Sequence, residues 1–216
     1  MSVESRWIAA AITIAVMAVY ETWLALAQRT RPATVGRAVH ADLREDWFEA
    51  ISQQPGSEVL AVQTLRNSLM SASMTASTAV LALMGSITLS ASSLNLSFGG
   101  GGEGSPEFTP RLALELVLLA LLCSSLVSSA MAVRSYHHAG FVGAMPVGSP
   151  ARQRWHAAGV HHLRRAGVLY SWSLRNLVLV VPAVAFILHP AAGPGTAIVV
   201  VLVLFAFDRV RGHTPP

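Results

Sequence analysis

The feature that most constrains this chain is a set of five apolar stretches, at about 7–27, 69–89, 112–133, 172–188 and 196–207. A helix needs about 20 apolar residues to cross the hydrocarbon core of a bilayer, and the first four stretches have or approach that length. Only 12% of the 216 residues are charged, too few to cover the surface of a soluble globule. The sequence therefore predicts an all-α integral membrane protein, with a single helical membrane domain over residues 1–216.

The first stretch is predicted to be a retained span rather than a cleaved signal peptide. Residues 25–27 read Ala-Leu-Ala and resemble a cleavage site. However, Glu21 and Trp23 precede that point, and the segment before the apolar run offers only Arg6 as a positive charge. We therefore expect a first transmembrane helix here.

Helices two to four are predicted to be longer than the bilayer and to extend into the cytoplasm. The second is expected to begin near Ser57, and the third after Thr109 as N-cap, with Pro110 at its first position. The fourth is expected to begin after Ser149 and Pro150. Each start combines a capping or turn residue with the apolar run that follows.

Prolines interrupt the last two apolar stretches. Pro182 is predicted to kink the fourth helix. Segment 189–195 is rich in Pro and Gly and is expected to be non-helical, so that the last helix starts near Thr196. The sequence thus predicts four long spans plus a short or re-entrant fifth segment.

The distribution of arginines predicts the topology. The connection 134–168 carries five arginines and no acidic residue, whereas 95–111 carries two glutamates against one arginine. Cytoplasmic loops carry the excess of positive charge, which places 134–168 inside, the N-terminus outside, and the C-terminus with Arg209 and Arg211 in the cytoplasm. Because the arginines adjoin apolar helices, we expect the cell membrane and its lipid bilayer as surroundings and no nucleic-acid partner.

Residues 35–53 are predicted to form an amphipathic cytoplasmic helix. Apolar side chains recur there at every fourth position: Val35, Val39, Leu43, Trp47 and Ile51. Acids and arginines are balanced on the polar face, so packing on the other helices is favoured over binding the inner leaflet.

Polar side chains within the spans allow two interpretations. Serines and threonines on the second and third spans suit either close helix packing or the lining of a water-filled pore. Glu21, Arg66, Arg134, Arg175 and Asp208 are expected at one depth near the inner ends of their spans, as a charge ring or as structural ion pairs. Glu115 stands apart, near the outer end of the third span.

Histidines are concentrated in the connection between the third and fourth spans. They are His137, His138, His156, His161 and His162. Imidazoles bind transition metals or haem, but the spacing fits no established metal motif and no acid accompanies them. Histidines that merely pack or face water are the alternative. No motif of a nucleotide hydrolase, serine hydrolase or metalloprotease is present, so an enzymatic activity has no support.

Residues 61–73 read AVQTLRNSLMSAS and resemble the signature of domain-of-unknown-function family 599. The members of this family are multi-pass membrane proteins of bacteria and plants. Segments 31–36, 44–47 and 136–141 agree more loosely, as does 173–182, where Ser173 replaces a glycine of the family. The resemblance implies a membrane protein and no particular reaction. It singles out the following residues: Gln63, Arg66, Asn67, His138 and Arg175.

The leading functional hypothesis is an oligomeric ion channel or small-solute transporter, a homo-oligomer joined through small-residue faces. The pore or substrate candidates are Glu21, Gln63, Arg66, Asn67, Ser71, Thr75, Thr78, Glu115, Arg175 and Asn176. Two alternatives remain open. One is a haem- or metal-binding protein that uses the five histidines, and the other is a non-catalytic scaffold whose basic surface docks a cytoplasmic protein or anionic lipid.

Overall fold

The fold was derived from a computed structural model that describes residues 2–30, 36–98 and 108–208. This part of the chain contains six helices and no strand. They are α1 (Val3–Thr30), α2 (Gly36–Gln53), α3 (Glu58–Phe98), α4 (Pro110–Gly143), α5 (Pro150–Leu188) and α6 (Ala192–Asp208). The predicted all-helical class is confirmed. The glycine run 99–102 and the C-terminal arginines 209 and 211 lie outside the described residues.

Four helices are long and apolar enough to cross a membrane: α1, α3, α4 and α5. The longest, α3 and α5, have 41 and 39 residues and measure about 60 Å, roughly twice the thickness of a hydrocarbon core. Both must therefore project beyond the bilayer. The sixth helix has 17 residues, about 25 Å, which is short for a full crossing. These dimensions make the chain an integral membrane protein with extended helices.

The helix starts follow the local sequence signals. Thr109 caps α4 by accepting a bond from the Leu112 amide, and Ser149 caps α5 in the same way through the Arg152 amide. The last helix begins earlier than predicted, at Ala192 instead of Thr196. Pro194 then occupies the first helical turn, where a backbone N–H has no partner within the helix and its absence costs nothing. The non-helical break after α5 is correspondingly short.

Helices α4 and α5 form a central antiparallel hairpin on which the other helices pack. Helix α3 lies along α4, α2 along α5, and α1 and α6 pack together against the hairpin. We call the end that carries the α4–α5 turn, residues 144–149, the arginine-rich end. The opposite end carries the starts of α1, α4 and α6.

Helix α2 packs on the protein through an apolar face. Its Phe48 is fully buried, and a Cβ on Gly159 of α5 would lie only 3.0 Å from the Phe48 ring. One turn away, the Arg44 guanidinium covers Gly167 so closely that a Cβ there would meet it at 2.5 Å. Glycine at these two positions of α5 therefore lets α2 approach its surface.

Two further apolar clusters hold the half of the bundle near the opposite end. Leu114, Leu118 and Leu122 of α4 pack with α1 and with Phe186 of α5. Next to them, a second cluster joins α1 to Leu179 of α5 and to α6. These contacts pack α1 and α6 against the second half of α5.

Candidate functional site

A buried ion pair joins α5 to α6 inside the bundle. The Arg175 guanidinium donates through Nε to Asp208 Oδ2 at 3.2 Å, and through Nη2 to Asp208 Oδ1. The two side chains are only 8% and 7% exposed, so water screens the pair very little. The Tyr20 hydroxyl of α1 donates to Asp208 Oδ2 at 2.5 Å, and Ser171 Oγ accepts from Arg175 Nη1 at 2.7 Å. Three helices are thus tied at one point.

These bonds account for Arg175, one of the predicted pore candidates. Its guanidinium is satisfied by Asp208 and Ser171, and Asp208 also accepts from Tyr20. An arginine held in this way is best explained as a structural partner that fixes α6 against α1 and α5. Glu21, the residue after Tyr20, lies half-buried on α1.

The predicted charge ring is divided along the bundle axis. Leu65, next to Arg66, lies level with Gly143, because a Cβ there would be 3.3 Å from its Cδ1. Asn176, next to Arg175, bonds to Ser124 of α4. Nineteen residues of α4 separate these two levels, about 28 Å along the helix. Arg66 and Arg175 therefore do not share one ring.

Serines on α4 and α5 form hydrogen bonds across the interface of the two helices. The Ser125 hydroxyl donates to the Ser173 carbonyl and the Ser173 hydroxyl to the Ser125 carbonyl, both at 3.0 Å. Ser129 bonds to the Ser173 hydroxyl, and Asn176 Nδ2 donates to Ser124 Oγ at 2.8 Å. Small hydroxyl side chains permit this proximity and satisfy one another across the interface. Ser124, Ser125, Ser129 and Asn176 thus form hydrogen-bonded contacts between α4 and α5.

Helix α3 is packed on one side and open on the other. Of the apolar 18-residue segment of α3 only 17% is buried, against 39% of the corresponding segment of α5. Leu65, Ala72 and Thr75 face inward. The remaining pore candidates on this helix are exposed; they are Gln63, Arg66, Asn67, Ser71 and Thr78. Thr75 therefore faces the bundle, whereas Ser71 and Thr78 belong to a row of exposed polar residues.

Glu115 is buried near the opposite end, where it contacts α3. Its Oε1 accepts from Arg111 Nε at 2.9 Å and from Ser93 Oγ at 3.4 Å. Oε2 is enclosed and has no hydrogen-bond partner among the described residues. The side chain faces the interior of the bundle and not the open side of α3, so this carboxylate is apart from the other candidates.

Three of the predicted histidines meet on the α4–α5 hairpin. The ring centroids of His138 and His162 are 4.9 Å apart, and those of His161 and His162 are 5.9 Å apart. His156 packs instead against Phe48, while His137 is exposed on α4. Among the described residues, no three or more side chains of the metal-binding types are placed to hold a metal ion. The haem or metal hypothesis gains no support from this arrangement.

The sequence did not single out Arg152, which organises the arginine-rich end. Its Nη1 donates to the carbonyls of Gly143 and Met145 at 3.1 and 2.6 Å, and its Nη2 donates to Ser52 Oγ at 3.2 Å. The side chain thereby closes the end of α4 and fastens α2 to the turn. Glu58 Oε1 accepts from the Val147 amide at 2.8 Å, and this bond lowers the pKa of the Glu58 carboxyl, which lies outside the apolar segment. Because the sequence shows Arg152 only as one of five arginines in the connection 134–168, its role is revealed only by the tertiary contacts.

A family described as "Protein of unknown function, DUF599" matches residues 8–212 of the chain, nearly its whole length. The chain belongs to the DUF599 family. No curated protein and no solved structure matches it. The suspected resemblance is therefore confirmed, and the membership carries no activity with it.

The segment that most resembles the DUF599 signature forms the beginning of α3. It places Gln63, Arg66 and Asn67 on the exposed side of that helix. His138, also singled out, belongs to the histidine group on α4, and Arg175 belongs to the buried ion pair. In this DUF599 protein the singled-out residues therefore occupy three separate places: Arg175 is buried, whereas the α3 segment and His138 are exposed.

Proposed function

We propose that this DUF599 protein forms a homo-oligomer through the open side of α3, and that the assembly conducts ions or small solutes along that side. The observation that carries the proposal is the combination of polar and small side chains on an exposed face of a membrane-length helix. A lone chain would present this face to lipid, whereas an oligomer would enclose it.

The spacing on α3 favours association of like helices. One row of the many exposed residues on α3 follows alternating intervals of four and three. We call this row the α3 stripe; it comprises Asn67, Ser71, Met74, Thr78, Leu81, Gly85 and Thr88. Every seventh position, at Ser71, Thr78 and Gly85, is small, and a Cβ on Gly85 would meet nothing within 4 Å. Small residues at regular intervals let membrane helices approach closely, and a seven-residue repeat keeps them in contact.

The hydroxyls of the α3 stripe are suited to a permeation path. Ser71 donates to the Asn67 carbonyl at 3.1 Å, and Thr78 donates to the Met74 carbonyl at 3.0 Å. Each hydroxyl is therefore stable in an apolar setting, yet its oxygen can still accept a bond from water. A pore lined in this way offers polarity without a fixed charge in its middle.

At the arginine-rich end, Gln63 and Arg66 would stand at the mouth of this path. The five arginines of 134–168 orient that end toward the cytoplasm, which puts the N-terminus outside and the C-terminus inside the cell membrane. A ring of arginines at a pore mouth favours anions over cations. We therefore propose anion-preferring conduction with a cytoplasmic mouth.

Flux measurements in proteoliposomes test the proposal. The wild-type protein is expected to release chloride or nitrate down a gradient at rates well above protein-free vesicles. Thr78→Trp would fill the path and lower the rate at least about tenfold. The matched control, Val199→Trp, changes an exposed residue of α6 and is expected to leave flux unchanged. Vesicles that stay sealed to monovalent anions and cations at both signs of membrane potential would contradict the proposal.

A further inference from the structure

The face of the α4–α5 hairpin that α2 leaves uncovered carries a cluster of basic side chains. On α4 they are Arg134 and His138, and on α5 they are His161, His162 and Arg165; we call these five residues the basic cluster. All are exposed except His162, which is intermediate. The rings of His138, His161 and His162 adjoin one another, as described above, so the cluster spans both helices.

The two helices that carry the basic cluster, α4 and α5, have no carboxylate near it to neutralise its charge. The sequence has no acidic residue between Glu115 and Asp208, so α4 and α5 contribute only cations around it. The nearest acids of α2 are engaged elsewhere: Asp42 and Glu45 both contact Arg164, at 3.2 and 3.0 Å. Arg164 therefore faces α2, and His162, two residues earlier in the helix, lies on the opposite side of α5.

The His162 imidazole is partly buried and lies among the other residues of the basic cluster. Partial burial and the nearby His138, His161, Arg165 and Arg134 all lower its pKa, in a part of α5 that precedes the apolar segment. An anion among these groups would reverse the effect, because an opposite charge favours the protonated imidazole.

The depth of the basic cluster indicates where such an anion comes from. Arg134 directly follows the apolar stretch 112–133, and His138 lies one turn further, about 6 Å. On α5, Arg165 precedes the apolar stretch 172–188 by about 10 Å. The headgroup region of a bilayer is about 5 to 8 Å thick on each side of the hydrocarbon core. The cluster therefore begins at the edge of the apolar segments, with Arg134 and His138 at the depth of the lipid headgroups and the α5 residues at or just beyond that depth.

The geometry points to a binding site for the phosphate of an anionic phospholipid, formed by the basic cluster on the open face of the α4–α5 hairpin. The two arginines supply permanent charge, and the three imidazoles add charge and hydrogen-bond donors when protonated. Binding should therefore strengthen as the pH falls through the range in which histidines titrate. This site is independent of the α3 stripe and does not rest on the proposed conduction.

The test is lipid retention by the purified full-length protein, measured by native mass spectrometry with phosphatidylglycerol and with phosphatidylcholine as probes. The wild type is expected to retain phosphatidylglycerol several-fold better, and more so at pH 5.5 than at pH 7.5. Each arginine near an anionic surface contributes about a fivefold gain, so Arg134→Gln with Arg165→Gln should weaken retention by about 20-fold or more. The matched control is Arg6→Gln with Arg154→Gln, two exposed arginines outside the cluster, and should change retention little.

Two further measurements, on a histidine double variant and with inorganic phosphate as competitor, complete the test. His138→Gln with His162→Gln should remove most of the pH dependence while retention at pH 7.5 stays near wild type. Inorganic phosphate at millimolar concentration should not displace the lipid, because it lacks the anchoring acyl chains. Equal retention of both lipids, an equal loss in the two double-arginine variants, or full displacement by inorganic phosphate would each overturn the proposal.

Discussion

Replacement of Asp208 by Asn tests the role of the buried ion pair. The change keeps the size of the side chain but leaves the Arg175 guanidinium in place without its counter-charge. Both partners are less than 10% exposed. The free energy of unfolding should therefore fall by about 3 to 5 kcal/mol, as is typical when a buried pair is broken. The Tyr20 hydroxyl also loses its anionic acceptor, which adds about 1 kcal/mol.

Reversible unfolding in mixed detergent micelles measures this change. Asp42→Asn is the matched control, since Asp42 is 63% exposed, contacts Arg164, and should cost less than about 1 kcal/mol. In the double variant Asp208→Leu with Arg175→Met, both charges are gone, and most of the stability should return. A single substitution as mild as the control, or a double variant as unstable as the single one, would refute the structural role.

Three further predictions concern packing and the arginine-rich end. Gly193→Ala should destabilise by about 1 to 3 kcal/mol in thermal unfolding, because the new Cβ would lie 2.7 Å from a Thr13 oxygen; Gly195→Ala, which meets nothing within 4 Å, should be neutral or slightly stabilising. Ser173→Ala should cost about 1 kcal/mol in the same assay through its lost bonds to α4, and no loss would count against the serine interface. Arg152→Met should speed amide hydrogen exchange in the turn 144–149, whereas Arg154→Met, at an exposed site, should not; equal rates in both would contradict the closing role of Arg152.

Local signals made the helices predictable from the sequence. Thr109 before Pro110 and Ser149 before Pro150 marked helix starts that the structure reproduces, because capping depends on residues only three apart. The start of α6 was predicted too late. The prolines and glycines of 189–195 were interpreted as helix breakers, although Pro194 lies in the first turn of α6, where proline is tolerated.

The sequence grouped Arg175 with Asp208 as charges that could form structural ion pairs, but which charges pair depends on contacts between distant segments. Asp208 is 33 residues from Arg175 and 188 from Tyr20, and no local pattern links the three. At the position where Ser173 replaces the glycine of the family, α5 lies near enough to α4 for hydrogen bonds between hydroxyl and carbonyl groups, which suits a small residue. The sequence showed the substitution, but only the bundle shows its hydrogen bonds.

Disulfide cross-linking in the membrane tests most directly whether the protein assembles through the open side of α3. In a Cys123→Ser background, Thr78→Cys places a thiol on the α3 stripe, and Val199→Cys places one on the exposed side of α6. Oxidation of membranes should give cross-linked dimers from the first variant and few from the second. Monomers alone from Thr78→Cys, or equal dimer yields from the two variants, would contradict assembly through α3.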